Sequence, residues 1–211
     1  MSNTLALSAT RALLGPPRSD VRRLERDAVL VVGGCLLVAG AAQVSIRLPF
    51  TPVPVTGQTF AVLLVGASLG SARGLASLAL YLAVGVAGLP FFAGGASGGH
   101  VLVGASGGYL VGFVLAAAVT GALAQRGWDR TFSSALGAML TGNVLIYLIG
   151  VPWLAHSLGA SPLDQNVLLA GLYPFIPGDL LKLYLASALL PTAWRLVGRR
   201  EPDRFEEESR S

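Results

Sequence analysis

Six apolar runs, separated by polar, proline-rich or glycine-rich stretches, organise this chain. They fall at Ala28–Ile46, Thr59–Ala72, Leu75–Leu89, Tyr109–Gln125, Phe132–Leu154 and a last one that reaches Leu190. Several approach the roughly 20 residues that cross a bilayer core, although the second is short for a span. The pattern predicts an all-α fold: an integral membrane bundle of six transmembrane helices over residues 28–194. It lies behind a polar, Arg-rich segment (1–27) and ahead of a charged tail (195–211). Ala39-Gly40-Ala41 fits a signal-peptide cleavage site. The charged leader is long and further apolar runs follow, so the first run reads as a retained span.

Composition strengthens that reading. Charged residues make up 12% of the chain against about 25% in soluble domains, hydrophobic ones make up 53%, and mean hydropathy is +0.66. Glycines recur at four-residue spacing at Gly66, Gly70 and Gly74, and again at Gly108 and Gly112, a spacing that lets helix backbones pack closely.

Charge placement sets an orientation. With the N terminus inside, the inner segments hold Arg11, Arg18, Arg22, Arg23, Arg26, Arg73, Arg126, Arg130, Arg195, Arg199, Arg200, Arg204 and Arg210, whereas the outer loops hold only Arg47. Positive residues favour the cytoplasmic side, so both termini are expected there. The net charge of +4 and pI near 9.7 then report orientation in a lipid bilayer and give no reason to expect a nucleic-acid partner. Cys35 is the sole cysteine, which excludes an intrachain disulfide. His100 and His156 are far apart in sequence, so no metal site is expected. No phosphate-binding loop or H-E-x-x-H motif is present, and no catalytic residues are assigned. Solute movement against a gradient would need energy from a partner.

Three irregular segments fall on the expected outer side: residues 47–59 with Pro49, Pro52 and Pro54, the glycine-rich stretch 94–108, and residues 173–178. Irregular backbone at membrane depth persists where it is buried in protein or lines a wet cavity. Their convergence points to a solute pocket, and the bland alternative is three ordinary loops.

The chemistry centres on Asp179 and Lys182, the chain's only lysine, at the start of the last apolar run. Three-residue spacing puts both on one helix face. Pro177 suits the first helical position, and a carboxylate in the first turn is favoured by the helix dipole. Charges at membrane depth are costly and mark functional sites. The pair would suit N–H groups beside a carbonyl, as in a urea or amide, or it could be a self-neutralising ion pair. Gln58, Thr56, Ser106, Tyr109 and Asn143 could add hydrogen bonds, and backbone around Gly94 and Gly95 could approach an anionic end or form a lid. Phe50, Phe91, Phe92 and Trp153 could stack on an apolar ligand body or anchor the protein at the interface.

Four ordered blocks then resemble the BioY biotin transporters. They are Leu48–Thr59 (LPFTPVPVTGQT), Gly88–Gly95 (GLPFFAGG), Gly107–Phe113 (GGYLVGF) and Phe175–Lys182 (FIPGDLLK). The likeness extends from about residue 28 to 191. It implies the substrate-binding S component of an energy-coupling-factor (ECF) transporter, a prokaryotic plasma-membrane protein with six helices and no cofactor. A transmembrane coupling protein and paired ATPase subunits would power it. Asp179 and Lys182 would contact biotin's ureido ring, and Gln58, Tyr109 and the glycine-rich loop would line the pocket. One departure is Gly104-Ala105-Ser106 where the family commonly reads G-P-T. The resemblance leaves the partner of biotin's carboxylate open among His100, Ser106, Arg47 and backbone amides. The small-residue face of the first span (Cys35, Ala39, Ala42) could dock the coupling protein or pack internally. The competing readings are an S component for another vitamin, an intramembrane enzyme using Asp179 as a base, and a structural role.

Overall fold

The computed structural model describes residues 4–14 and 20–198. Helix α1 (Leu5–Leu14) is followed by α2 (Asp20–Gln43), α3 (Gln58–Leu69), α4 (Ser71–Val86), the short α5 (His100–Val103), α6 (Gly107–Gln125), α7 (Phe132–Leu158), α8 (Gln165–Gly171) and α9 (Ile176–Gly198). The six longer helices of the set, α2, α3, α4, α6, α7 and α9, occupy the six apolar runs in order. Three helical stretches, Gly107–Gln125, Phe132–Leu158 and Ile176–Val197, are long and apolar enough to cross a membrane, and α3 and α4 are shorter apolar helices.

Helix α6 is central, packed against α7, α3 and α4, with α2 on α4 and α9 on α7 and α3. Glycine makes this closeness possible. A side chain on Gly66 or Gly74 would meet the backbone of Ala117, one on Gly112 the backbone of Ile146, and one on Gly121 the Gly70–Ser71 turn. Without bulky groups between them, these helices gain van der Waals contact that apolar lipid cannot otherwise drive. Cys35, Ala39 and Ala42 are all buried within the bundle, so this face of α2 packs internally.

Several expected boundaries shift. The first apolar run is helical only to Gln43, because Ser45–Ile46 forms β1, antiparallel to β2 (Val55–Thr56) with Ser45 opposite Thr56. This two-residue ladder is a small addition to the otherwise helical fold. It holds the ends of the proline-bearing loop together, where Pro49, Pro52 and Pro54 cannot donate to a ladder. Helix α7 continues past Leu154 to Leu158 and stops at Gly159, whose φ of 64° is the left-handed C-cap geometry. The glycine-rich stretch is more ordered than a plain loop: a 3-10 turn over Ala93–Gly95 precedes α5.

The N-terminal segment, expected from its sequence to be polar and Arg-rich, carries a helix that packs into the bundle. Helix α1 lies against α3 and α9, with Leu7 and Ser8 buried. Thr4, just ahead of it, reaches the α3–α4 turn at Gly70, where no side chain would fit. At that same end of the bundle, Asp27 of α2 bonds Arg73 of α4 at 2.9 Å. Asp129 of the α6–α7 turn accepts from the Trp194 indole N–H, while Arg130 lies 3.5 Å over the Trp194 ring.

Candidate functional site

At the other end, the N-terminal parts of α3, α6 and α9 surround a cavity of about 460 Å³, closed by the 47–56 loop and the 92–106 segment. Its size lies within the range of small-molecule sites, about 300–1,000 Å³. The three irregular segments of the sequence do converge here.

Asp179 stands in the first turn of α9, its backbone N–H bonded to the Phe175 carbonyl at 2.8 Å, and only 3% of the residue is exposed. Helix α9 begins at Ile176, so Pro177 lies in the first turn, where its missing N–H costs no helical bond. Lys182 Nζ donates to Asp179 Oδ1 at 3.1 Å and to Thr59 Oγ1 at 3.0 Å. The Thr59 hydroxyl in turn donates to Asp179 Oδ1 at 3.1 Å. Tyr147 of α7 donates its hydroxyl hydrogen to Asp179 Oδ2. Three helices thus fix one carboxylate.

The remaining capacity of this cluster can be read directly. A carboxylate offers about four lone-pair positions and an ammonium three N–H donors. Oδ1 has two partners and Oδ2 one, which leaves an acceptor position on Oδ2. Two Nζ donors are used, which leaves one. A ligand presenting an N–H next to a carbonyl would satisfy both.

The other expected residues divide by their commitments. Gln58, Thr56, Ser106 and Tyr109 all line the cavity. The Gln58 amide donates to the Tyr81 hydroxyl at 2.7 Å, and its oxygen accepts from Thr56 at 3.0 Å. The Tyr109 hydroxyl donates to the Gly171 carbonyl at 2.7 Å, so the Tyr109 ring is what remains for a ligand. Gly94 and Gly95 sit in the 3-10 turn between the lining residues Ala93 and Ala96 and are not themselves part of the lining. Asn143 is buried one helical turn before Tyr147, off the lining, and its Oδ1 has no hydrogen bond.

Of the aromatic candidates, Phe92 lines the cavity and packs edge-on against Tyr81 at 5.6 Å. Phe50 is 62% exposed, and Trp153 instead donates to the Gly104 carbonyl at 3.0 Å beside a second, shallower groove. Arg47 lines the cavity, whereas His100 does not. Thr59 and Tyr147 were not singled out from the sequence. The only available signal for Tyr147 was its place on the Asn143 helix face, one turn further on. Among the described residues, no three His, Cys, Asp or Glu side chains gather as a metal site would require.

Fold and cavity together define a helical membrane protein with a solute-sized chamber lined by both charged and apolar side chains. The BioY family model matches residues 10–199, and the chain belongs to the BioY family. The biotin transporter BioY of Rhizobium etli is 35% identical over 172 residues, covering 78% of this chain and 90% of that protein. The biotin transporter BioY of Rhodobacter capsulatus is 36% identical over 178 residues, covering 80% and 93%. A probable biotin transporter BioY of Methanothermobacter thermautotrophicus is 41% identical over 143 residues, covering 65% and 88%. The fold is that of a crystal structure of the S component for biotin from an ECF-type ABC transporter, with a TM-score of 0.74 at 23% identity over 85% of this chain and 95% of that one.

Proposed function

We propose that this protein is the biotin-capturing S component of an ECF-type uptake transporter, a transport component and not an enzyme. Family membership supports the ligand class, and one structural observation carries the mechanism: an Asp179–Lys182 pair in the cavity lining, with Asp179 buried and Lys182 partly so, that has one acceptor and one donor to spare. Biotin's ureido group offers an N–H beside a carbonyl. The N–H donates to Asp179 Oδ2 and the carbonyl accepts from Lys182 Nζ. The apolar wall, including Phe113 and Ile146, receives the ring sulfur and the aliphatic chain.

The six long helices span a prokaryotic plasma membrane, with both termini cytoplasmic, as the arginine distribution favours. The cavity then faces outward and captures biotin before inward release. A transmembrane coupling protein and ATPase subunits supply the energy, in keeping with a chain that has no phosphate-binding loop of its own.

The test is equilibrium binding by detergent-purified protein offered biotin, riboflavin and thiamine separately. Saturable binding of biotin alone is expected. Preference for another vitamin, or no binding of any, overturns the reading.

A further inference from the structure

We propose that Arg47 is the anion anchor of the cavity and holds the terminal carboxylate of the bound ligand. This rests on the biotin reading above and adds a second polar contact at the other end of the molecule. Three charged side chains line the cavity: Asp179, Lys182 and Arg47. Asp179 and Lys182 neutralise each other at 3.1 Å, so the lining keeps one net positive charge, on Arg47. Among the described residues, the Arg47 guanidinium has neither a hydrogen bond nor an ion pair.

Its placement is built. The Ile46–Val55 pairing fixes the backbone immediately before Arg47, whose side chain is exposed where it lines the cavity. The guanidinium lies beside Gly94. A Cβ there would stand 3.1 Å from Arg47 Nη2, and the φ of 64° at Gly94 is one that other residues rarely adopt. A guanidinium presents a planar fork of donors matched to a carboxylate, which a single hydroxyl such as that of Ser106 cannot reproduce. The cavity therefore combines a urea-recognising pair, apolar lining and a carboxylate-recognising guanidinium. The ligand class that satisfies all three is an amphipathic monocarboxylate.

The experiment compares biotin with biotinamide, in which a neutral carboxamide replaces the carboxylate, on the unmodified protein and on Arg47→Gln and Arg47→Lys. The unmodified protein is expected to bind the acid more tightly by on the order of tenfold, the scale of a charge-assisted hydrogen bond at a partly exposed site. In Arg47→Gln that preference should fall to near unity while amide affinity is kept, and Arg47→Lys should keep part of it. Equal affinity of the unmodified protein for acid and amide overturns the assignment. So does an Arg47→Gln protein that loses both ligands by the same factor or keeps the full preference. Absence of any biotin binding by the unmodified protein instead overturns the biotin reading, and the Arg47 assignment falls with it.

Discussion

Tyr147 donates to Oδ2 of Asp179, the carboxylate oxygen that Lys182 and Thr59 leave open. The carboxylate is therefore held from both sides, by α3 and α9 at one oxygen and by α7 at the other. Such an acceptor is oriented before a ligand arrives, which lowers the ordering cost of binding.

Tyr147→Phe removes that restraint and keeps the ring, which packs edge-on against Tyr109 at 6.2 Å. Ordering a side chain that is no longer restrained costs about 0.5–1.5 kcal/mol on binding, so biotin affinity should fall roughly two- to tenfold. Tyr109→Phe is the contrast. Its hydroxyl serves the Gly171 carbonyl, so the variant should lose about 1 kcal/mol of stability with little change in affinity. Titration calorimetry and thermal unfolding of both proteins check the split.

The ion pair makes a separate prediction. Removing one partner of a buried pair costs roughly 3–5 kcal/mol, and the 20% exposure of the Lys182 side chain places this case at the lower end. Asp179→Asn and Lys182→Met should each unfold at lower temperature, and the double variant should regain most of that stability without regaining biotin. A double variant that binds biotin normally would reduce the pair to a structural role.

Glycine packing is tested by two alanines. In Gly66→Ala the new methyl group meets the Ala117 backbone, an overpacking that costs about 1–3 kcal/mol. In Gly33→Ala the methyl group meets nothing within 4 Å, and a helical Gly-to-Ala change is favourable by roughly 0.5–1 kcal/mol. Midpoints of thermal unfolding should move in opposite directions.

The Asp27–Arg73 bridge predicts a pH dependence. Burial pushes the Asp27 carboxyl up, but bonds from Arg73 and Arg26 outweigh it and hold the carboxyl below its ordinary 3.8. A depressed carboxylate contributes stability that is complete above the unfolded value and is lost as pH falls through the folded one. The stability gap between the unmodified protein and Asp27→Asn should therefore be constant near neutrality and close below about pH 4. Unfolding midpoints measured across that range check the sign.

The sequence was most legible where one kind of residue dominated. Runs of apolar residues located the six long helices, and a single lysine with its aspartate three residues earlier located the charged cluster. Legibility failed where a polar residue could serve several roles. Tyr147 and Thr59 sit in apolar runs much as Asn143 does, and only the angle between α3, α7 and α9 decides which of them meet Asp179. Gln58 lines the cavity, yet its amide is committed to Tyr81 and Thr56, a partnership between residues far apart in sequence. Helix α1 was hidden by nearby arginines, because its burial depends on surfaces of α3 and α9 that exist only in the assembled bundle. The β1–β2 pairing was masked in the same way, since three prolines argue against a regular strand while still allowing the two ends of their loop to meet.

The central claim is that Asp179 and Lys182 grip the ureido group of biotin, and calorimetric titration of biotin into the purified protein, Asp179→Asn and Lys182→Met tests it most directly. Saturable binding by the unmodified protein, weakened on the order of a hundredfold by each substitution, is the predicted result. Binding of undiminished affinity in both variants would contradict it.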